Sequence, residues 1–389
     1  MDINKQSHIA LILRRLLSEP TGSHDIPFNP VIINSQTDKK VIDLVSSSSA
    51  QSLKNCPEPL NKIDKPVLHL SSLEYDSHEK LAAQMDSAVR NYTTKHGCKP
   101  QAVCCPGVAV FYVTSGESDS SAPLKNKIAL VTGSAGAIGY GICKTLLEKG
   151  SRVAVTDLPG DRLDDFVNEF KNQAGDYVVG VPMDVTDKDS VARSFEKVTE
   201  AWGGIDIVVV NAGIALVCSL IEMDIDEFRK LEKVNVEGTL LTLAEAGRHF
   251  KLQGIGGDIV VISTKNVFAP GAKFGAYSAT KAASHQLARI ASLEFAEFGV
   301  RVNMVSPDAV FSGGKYKSGL WQQVGPDRMR ARGLDEKGLE EYYRNRNLLK
   351  TSVTAQHVAN AVLFFATRQT PTTGATIPVD GGLPDATPR

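Results

Sequence analysis

The sequence predicts an α/β protein with a doubly wound parallel sheet, preceded by an irregular N-terminal extension. From Leu124 onward, apolar runs of strand length alternate with longer segments whose apolar residues recur at helical spacing. That alternation is typical of parallel strands joined by crossover helices. A glycine-rich turn joins the first strand to the first helix, and short polar residues follow several strands, where open α/β sheets bind their ligands.

The individual elements can be assigned in order along the chain. Seven strands are predicted at 127–132, 152–156, 177–181, 205–210, 257–263, 300–305 and 376–378. Six helices are predicted at 138–149, 160–173, 187–202, 224–252, 276–298 and 354–367. The basic and aromatic segment 313–350 interrupts this alternation before the last helix, so we expect it to form a lid over the ligand-binding edge of the sheet.

Residues 1–122 lack this regular alternation. Prolines and a serine run divide the segment into short apolar pieces, so a self-sufficient hydrophobic core is not expected there. A helix is predicted at 77–92 and a strand at 109–113, and residues 116–122 have the composition of a linker. We therefore predict two domains, an N-terminal extension at 1–122 and the α/β domain at 123–389.

Composition indicates an ordinary globular protein. The 389 residues carry a net charge of −1 and are 42% hydrophobic, which argues against binding to nucleic acid or to a membrane surface. No apolar run approaches the ~20 residues of a membrane span. Six cysteines without CxxC spacing are expected to be free thiols, which predicts a cytoplasmic location. Arg14 and Arg15 among apolar residues faintly resemble an organellar presequence, but Asp2 and Glu19 count against it.

The stretch KIALVTGSAGAIGYG (127–141) is predicted to run from a strand through a glycine-rich turn into a helix. That arrangement presents backbone N–H groups at a helix N-terminus, where a pyrophosphate can bind. We expect Gly133 to permit the tight turn and Gly139 to permit close contact between helix and strand. A glycine loop that serves packing only is the alternative, although the flanking strand and helix favour a dinucleotide site.

Asp157 ends the second predicted strand, about 20 residues beyond the glycine turn. A carboxylate at this place can accept hydrogen bonds from the ribose hydroxyls of adenosine, and it repels a 2′-phosphate. The sequence therefore predicts NAD rather than NADP. The alternative is that Asp157 only caps the following helix.

Short polar residues also follow the next two strands. Asp184 follows the third strand and Asn211-Ala212-Gly213 follows the fourth, so we expect them to surround an adenine and its ribose. Taken singly, each could be an ordinary turn. Asn235 lies inside a long predicted helix, and asparagine is a poor helix former, so it is either an exposed residue or one with a local hydrogen-bonding role.

The pair Tyr277 and Lys281 is the main chemical signal in the sequence. Four residues apart on a helix, the phenol and the ammonium share one face, so the cation is expected to lower the pKa of the tyrosine from its usual ~10. Such a phenol would be a general base for an alcohol. Thr264 is predicted at the carboxyl end of the fifth strand, where it supplies a nearby hydroxyl. The spacing alone also occurs by chance on surface helices.

Residues 124–384 resemble a short-chain dehydrogenase/reductase, which implies a Rossmann fold. The family's catalytic tetrad of Asn, Ser, Tyr and Lys falls on Asn235, Thr264, Tyr277 and Lys281. The resemblance implies an NAD site formed by Gly133, Ala137, Ile138, Gly139, Asp157, Leu158, Asp184, Val185, Asn211, Ala212, Gly213, Tyr277, Lys281, Pro307 and Val310. It also implies a homo-oligomer, a dimer or tetramer, formed through the two long helices 224–252 and 276–298.

Three departures from the family pattern are visible. Ala137 replaces the middle glycine of the loop, Thr264 replaces the serine, and Asp308 stands in a Pro-Asp-Ala-Val-Phe stretch where Pro-Gly is common. That stretch is most similar to the dehydrogenase half of bifunctional class II aldolase/short-chain dehydrogenases of rhamnulose-phosphate type. Residues 75–111 then resemble the tail of the aldolase half. Because the histidines are scattered and no HxH pair occurs, we predict a truncated aldolase remnant without a metal site.

These observations predict an NAD-dependent oxidoreductase that interconverts an alcohol and a carbonyl by hydride transfer, without a metal. A small hydroxyaldehyde, polyol or sugar derivative is the expected substrate. A catalytically weak or inactive NAD-binding protein with a sensing or scaffold role is the alternative. Cations of the 313–350 segment either receive a phosphate or carboxylate or belong to solvated helix faces. They are Lys315, Lys317, Arg328, Arg330, Arg332, Arg344 and Arg346.

Lys265 and Asp308 follow the fifth and sixth predicted strands, so both are expected at the edge of the sheet beside the nicotinamide. We predict that the two form an ion pair in which Lys265 offsets the carboxylate. The alternative is that either side chain points to solvent.

Overall fold

The computed structural model describes residues 4–47, 53–114, 122–384 and 386. The predicted linker therefore lies outside the described residues, apart from Ala122. The chain divides into two compact units. Unit 1 comprises Met1–Asp119, Phe195–Ile205 and His249–Ile255. Unit 2 comprises Ser120–Ser194, Asp206–Arg248 and Gly256–Arg389.

The N-terminal residues of unit 1 form helices and short strands. In chain order they are α1 (Lys5–Leu17), β1 (Glu19–Pro20), β2 (Phe28–Asn29), β3 (Ile32–Gln36), α2 (Lys39–Ser47), β4 (Leu68–His69), α3 (His78–His96), β5 (Ala102–Cys105) and β6 (Ala109–Thr114). Four strands form a mixed sheet in the order β3-β6-β5-β4, and β1 pairs with β2.

Unit 1 is more regular than the sequence predicted, because it has a hydrophobic core of its own. Ile9 and Leu13 of α1 pack with Met85 of α3 and Phe111 of β6, and all four side chains are buried. The expectation of an irregular segment without a core was therefore wrong. The core escaped prediction because strand Ala102–Cys105 is buried along its whole length and shows no alternation of polar and apolar residues.

The rest of the chain alternates strands with helices. The elements are β7 (Ile128–Val131), α4 (Ala137–Glu148), β8 (Arg152–Asp157), α5 (Asp161–Ala174), β9 (Val178–Pro182), α6 (Lys188–Trp202), β10 (Ile207–Val210), α7 (Ile225–Glu232), α8 (Gly238–Gln253), β11 (Gly257–Ile262), α9 (Gly275–Glu294), β12 (Val300–Pro307), β13 (Ser312–Gly313), β14 (Tyr316–Lys317), α10 (Gly319–Arg332), α11 (Glu336–Asn345), α12 (Ala355–Ala366) and β15 (Thr376–Val379).

Seven parallel strands form one sheet in unit 2, in the order β15-β12-β11-β10-β7-β8-β9. The predicted doubly wound parallel sheet is confirmed, and each strand lies within two residues of its predicted bounds. The chain order reverses between β7 and β10, so the carboxyl ends of these two strands form the topological switch point where such sheets bind ligands. Phenylalanines of α5 and aliphatic residues of α4 and α12 cover the sheet beside β7 and β8.

Two regions differ from a simple alternation of strand and helix. The predicted helix 224–252 is interrupted between α7 and α8 by a π turn at Lys233–Glu237. The predicted lid segment 313–350 contains the short hairpin β13–β14 followed by α10 and α11. Within the described ranges, none of the helices combines the length and the hydropathy that crossing a lipid bilayer would require.

Candidate active site

A cavity of about 1300 Å³ lies at the carboxyl ends of the strands in unit 2. Its volume exceeds the roughly 300–1,000 Å³ of a typical small-molecule site, so it has room for a dinucleotide and a second ligand. All fifteen residues predicted for the cofactor line this cavity, and so does Thr264. Asn235 is not among the residues that line the cavity, but its side-chain oxygen lies next to Gly213, which does line it. The fold therefore brings the predicted site residues together.

The glycine turn between β7 and α4 has the geometry that the sequence predicted. Gly133 has a φ of +61°, and a Cβ at this position would lie 2.7 Å from the Cα of Ala212. A Cβ on Gly139 would lie 2.6 Å from the carbonyl oxygen of Gly133. Both positions therefore exclude any larger side chain. Gly136 precedes α4 and provides no side-chain cap, so the first N–H groups of that helix are available to an anion.

Polar groups at the end of β10 brace this turn. The side-chain amide of Asn211 donates to the carbonyl oxygens of Thr132 and Gly133, at 3.0 and 2.8 Å. The hydroxyl of Thr132 accepts from the backbone N–H groups of Asn211 and Ala212, both at 3.0 Å. These hydrogen bonds hold the glycine turn against the end of β10, at the switch point of the sheet.

The carboxylates that follow β8 and β9 have different environments. Asp157 accepts from the backbone N–H groups of Ala135 and Leu158, at 2.9 and 2.8 Å, and each carboxylate oxygen keeps a free lone pair. It does not cap α5, because Gly160 occupies that position without a side-chain bond. Asp184 accepts from both the N–H and the hydroxyl of Thr186, as in an ordinary turn, while also lining the cavity.

Asn235 lies in the π turn and is almost fully buried. Its side-chain oxygen accepts from the N–H of Ile214 at 2.9 Å, and its amide donates to the carbonyl of Ile214 and to the hydroxyl of Thr280. Its backbone carbonyl accepts from the hydroxyls of Thr239 and Ser284. The interior asparagine thus joins the loop after β10 to α9, and π turns often occur at functional sites.

Tyr277, Lys281 and Thr264 meet at the junction of β11 and α9. The three residues are at most 8% exposed, and the phenol of Tyr277 forms a hydrogen bond with Thr264. The ammonium of Lys281 donates to the carbonyl of Ile262, the last residue of β11, at 2.7 Å. A phenol, a hydroxyl and an ammonium therefore converge on the cavity wall, as required for acid–base chemistry on an alcohol.

The predicted lowering of the tyrosine pKa is not observed in this structure. Burial raises the pKa of Tyr277 to about 12, and the hydrogen bond with Thr264 only partly opposes this effect. Burial also lowers the pKa of Lys281 to about 8. The prediction was wrong because it considered the spacing of the two residues on α9 and not the loss of water around both of them.

The predicted ion pair between Lys265 and Asp308 is also wrong. Asp308 pairs instead with the guanidinium of Arg346, and the ammonium of Lys265 donates to the carbonyl of Ala269 at 3.0 Å. Burial and the nearby Arg346 lower the pKa of Lys265 to about 8, while Asp308 acts in the opposite direction. Lys265 is therefore near enough to feel the carboxylate but is not its direct partner.

The 313–350 segment contributes to the cavity wall, and the structure separates its cations into two groups. Four lie at the surface in ion pairs with acidic residues: Lys315 with Glu169, Lys317 with Glu336, Arg330 with Asp327, and Arg344 with Glu341. Three line the cavity: Arg328, Arg332 and Arg346. Acidic and basic residues are mixed along this segment, so the sequence did not show which cations lie at the surface and which line the cavity.

Sequence reasoning missed the aromatic residues that hold these arginines. Arg328 lies over the ring of Phe274, Arg332 over that of Tyr342, and Arg346 over that of Tyr343, with 4.1 to 4.6 Å from guanidinium carbon to ring centre. Phe274 precedes Tyr277 by three residues, and that helical spacing was the one available signal for its place in the site.

Comparison with known proteins identifies the class. A family profile described as short chain dehydrogenase matches residues 127–322. Sorbitol-6-phosphate 2-dehydrogenase of Escherichia coli is 29% identical over 259 residues, which cover 66% of this chain and 98% of that protein. The solved structure of sorbitol-6-phosphate 2-dehydrogenase from Erwinia amylovora matches with a TM-score of 0.61 and 28% identity, covering 65% of this chain and 98% of that one.

An uncharacterised oxidoreductase of Bacillus subtilis is 37% identical over 270 residues. The match covers 69% of this chain but 39% of the relative, so the chain spans well under half of that protein's length. Fold, cavity and similarity together define an NAD(P)-dependent oxidoreductase that acts on CH–OH groups. The chain belongs to the short-chain dehydrogenase family.

Proposed function

We propose that the protein oxidises the hydroxyl of a small polyol, hydroxyaldehyde or sugar derivative with NAD, and catalyses the reverse reaction. The observation that carries the proposal is the convergence of Tyr277, Thr264 and Lys281 on a cavity large enough for cofactor and substrate. The name of the Escherichia coli relative, a sorbitol-6-phosphate 2-dehydrogenase, supports a polyol or sugar substrate.

The residues at the junction of β11 and α9 have distinct roles in this proposal. Thr264 donates a hydrogen bond to the substrate oxygen, and Tyr277 takes the hydroxyl proton as general base in its phenolate form, which the positive charges of Lys281 and of bound NAD would favour. Bound NAD supplies the hydride acceptor and a positive charge beside the phenol. Lys281 holds a proton close to Tyr277, and Asn235 keeps the loop after β10 in register with α9 through Ile214 and Thr280.

The proposed preference for NAD depends on Asp157. Its carboxylate lines the cavity at the end of β8 and still has lone pairs for two ribose hydroxyls. A 2′-phosphate placed there would meet the same negative charge. Arg162, which also lines the cavity, is the nearby cation that would favour NADP if it outweighed Asp157.

The N-terminal residues 1–122 are proposed to be an aldolase-derived remnant without catalytic chemistry. The resemblance of residues 75–111 to an aldolase tail supports this proposal. Removing residues 1–120 should preserve turnover per folded molecule but lower stability, because Asn34 and His78 bond to the carbonyls of Ala201 and Leu252 within unit 1. Zinc bound in a 1:1 ratio to this region would contradict the proposal.

A cytoplasmic location and a homo-oligomeric state complete the proposal. All six cysteines are free, as is usual in a reducing compartment. Exposed apolar side chains on α8 and α9, among them Leu240, Ile290 and Leu293, support association of subunits through these helices. Size-exclusion chromatography with light scattering would measure the oligomeric state directly.

A direct test of the proposed function uses the purified protein with NAD and a set of polyols and hydroxyaldehydes. Formation of NADH, followed by its absorbance, is expected with at least one of these alcohols. The same set with NADP serves as the cofactor control. Binding of NADH without oxidation of any alcohol in the set would overturn the proposal and favour a protein that binds the cofactor without turnover.

A further inference from the structure

Arg328, Arg332 and Arg346 of the 313–350 segment line the cavity together with Lys265, and Asp308 is the carboxylate of this cluster. We propose that Lys265, Arg328 and Arg332 bind the phosphate group of a phosphorylated alcohol, so that the substrate is a polyol or sugar phosphate. The proposal rests on the dehydrogenase function proposed above and specifies the substrate of the same site.

The balance of charge is the first observation. Lys265, Arg328, Arg332 and Arg346 line the same cavity as Asp308, while the cavity's other carboxylates, Asp157 and Asp184, follow β8 and β9 at the proposed adenosine site. Arg346 and Arg328 lie close enough to Lys265 for their positive charges to lower its pKa. Within this cluster four cations accompany the single carboxylate of Asp308, and Arg346 already pairs with it. Three positive groups therefore remain to attract an anion.

Arg328 is the most informative member of the cluster. Its side chain is 7% exposed, lies 4.6 Å over the ring of Phe274, and donates to the hydroxyl of Tyr343 at 3.2 Å. Its buried Nε has no hydrogen-bond partner in the described part of the chain, where no carboxylate pairs with this guanidinium either. Burying a guanidinium without a carboxylate partner carries an unfavourable desolvation free energy, and a bound anion would offset it.

Arg332 lies one helical turn beyond Arg328 on α10 and also faces the cavity. Its guanidinium covers the ring of Tyr342 at 4.6 Å and makes a long 3.4 Å bond to the hydroxyl of that residue. No acidic partner is found for Arg332 among residues 4–47, 53–114, 122–384 and 386. Arg330, two residues earlier on the same helix, is exposed and pairs with Asp327. On α10, the cavity-facing Arg328 and Arg332 are thus without a carboxylate partner among the described residues, whereas the exposed Arg330 has one.

A phosphate fits this cluster better than a carboxylate does. A phosphate monoester carries a charge of about −1.5 to −2 at neutral pH and offers three acceptor oxygens, whereas a carboxylate carries −1 and offers two. Guanidinium groups present several N–H donors in a fixed fork that matches these oxygens. Three uncompensated cations therefore correspond more closely to the charge of the phosphate.

The cluster is also correctly placed relative to the reacting hydroxyl. The centre of the Phe274 ring lies 4.6 Å from the guanidinium carbon of Arg328 and 6.1 Å from the ring centre of Tyr277. The proposed phosphate subsite and the proposed general base therefore both lie close to the same aromatic ring. A substrate of a few carbon atoms could place its hydroxyl at Tyr277 and its phosphate at Arg328.

Steady-state kinetics with matched alcohols would test the proposal. Sorbitol 6-phosphate, sorbitol and gluconate supply a phosphate, no anion and a carboxylate on similar carbon chains. We expect kcat/KM for sorbitol 6-phosphate to exceed that for sorbitol at least tenfold. Arg328→Gln and Arg332→Gln should each reduce this advantage by about 10- to 100-fold, the effect of losing one charge-assisted contact. Arg330→Gln should leave the advantage unchanged.

Three kinetic outcomes would overturn the phosphate subsite. They are equal kcat/KM for sorbitol and its phosphate, a preference for gluconate over the phosphate, and an equal loss in Arg330→Gln and Arg328→Gln. Circular dichroism and the unfolding midpoint of each variant would show whether it is folded. Because Arg332 is less buried than Arg328, its variant keeps the test decisive if Arg328→Gln does not fold.

A binding measurement separates this proposal from the dehydrogenase function. Inorganic phosphate is titrated calorimetrically into the NADH complex, in which the cofactor already occupies the glycine turn. Binding that is weakened at least tenfold in Arg332→Gln but not in Arg330→Gln would support the subsite even if no alcohol were oxidised. Phosphate binding that is absent, or equal in both variants, would overturn it whatever the activity.

Discussion

The carboxylate of Asp308 at the end of β12 is paired with the guanidinium of Arg346 at the end of α11. The carboxylate is 5% exposed and the guanidinium side chain is 20% exposed, so both are largely shielded from water. The guanidinium also lies over the ring of Tyr343. This pair joins the sheet to the helical segment that carries the cavity-facing arginines, and it offsets one of their charges.

Replacing Asp308 by asparagine should destabilise the protein. The substitution keeps the shape of the side chain but leaves Arg346 as an uncompensated, largely buried cation, at a cost of about 2–4 kcal/mol. Urea unfolding would measure this change as a lower midpoint. Asp327→Asn breaks the exposed pair with Arg330 and should change stability by less than about 1 kcal/mol. Equal effects of the two substitutions would contradict the importance of burial.

Replacing Tyr277 by phenylalanine should reduce turnover by at least about 10²-fold, because the proposed general base is removed. The cavity wall keeps its shape, so NADH should bind with nearly unchanged affinity, as measured by the fluorescence of the cofactor. Tyr112→Phe, which alters a phenol of unit 1, is the matched control and should retain activity. If Tyr277→Phe kept most of its turnover, another group would have to be the base.

Replacing Asp157 by serine should weaken discrimination between the two cofactors. Loss of the carboxylate removes both the acceptor for ribose hydroxyls and the repulsion of a 2′-phosphate, so the ratio of kcat/KM for NAD over NADP should fall about 10- to 100-fold. Asp164→Ser on the exposed face of α5 is the control. The interpretation of Asp157 fails if the parent protein already uses NADP as well as NAD.

The pKa of Lys265 predicts how stability depends on pH. It is about 8 in the folded protein and 10.5 in the unfolded reference, so between these values the unfolded chain binds more protons and stability rises with pH. Lys265→Met removes this penalty. We expect the variant to gain about 1–2 kcal/mol at pH 7, after allowance for partial exposure, and to lose that advantage progressively between about pH 8 and 10.5.

Urea unfolding of parent and variant at several pH values would measure this difference. Lys281, which also has a pKa of about 8, contributes a similar rise to both proteins and therefore cancels. Lys273→Met is the control, because Lys273 is an exposed lysine in the same segment between β11 and α9. A constant difference between parent and Lys265→Met across the pH range would show that the ammonium is not penalised by burial.

Features encoded by local spacing were predictable from the sequence. The strands of the large sheet are continuous apolar runs, and their bounds were found to within two residues. Gly133 and Gly139 were assigned their roles because strand, turn and helix follow one another without interruption. Tyr277 and Lys281 lie four apart on one helix, so their common position on the cavity wall followed from helical geometry.

Features that depend on distant contacts or on burial were not predictable in the same way. Arg346 reaches Asp308 across 38 residues, whereas the sequence suggested Lys265 because it follows the neighbouring strand. The pKa of Tyr277 depends on how completely the fold removes water, which no spacing reveals. The sequence likewise did not separate Arg328 from Arg330, although one lines the cavity and the other pairs at the surface.

The ring of Phe274 has a consequence for selectivity. It contacts Arg328, and its centre lies 6.1 Å from that of Tyr277, so one rigid ring lies close to both residues. If the charged group of a substrate binds at Arg328 and its reacting carbon must lie at Tyr277, the separation of these two residues selects substrates by chain length. Alcohols too short to span this separation cannot reach both residues, and longer ones must adopt a bent conformation to do so. An enzyme built in this way would sort its substrates by the distance between charge and hydroxyl.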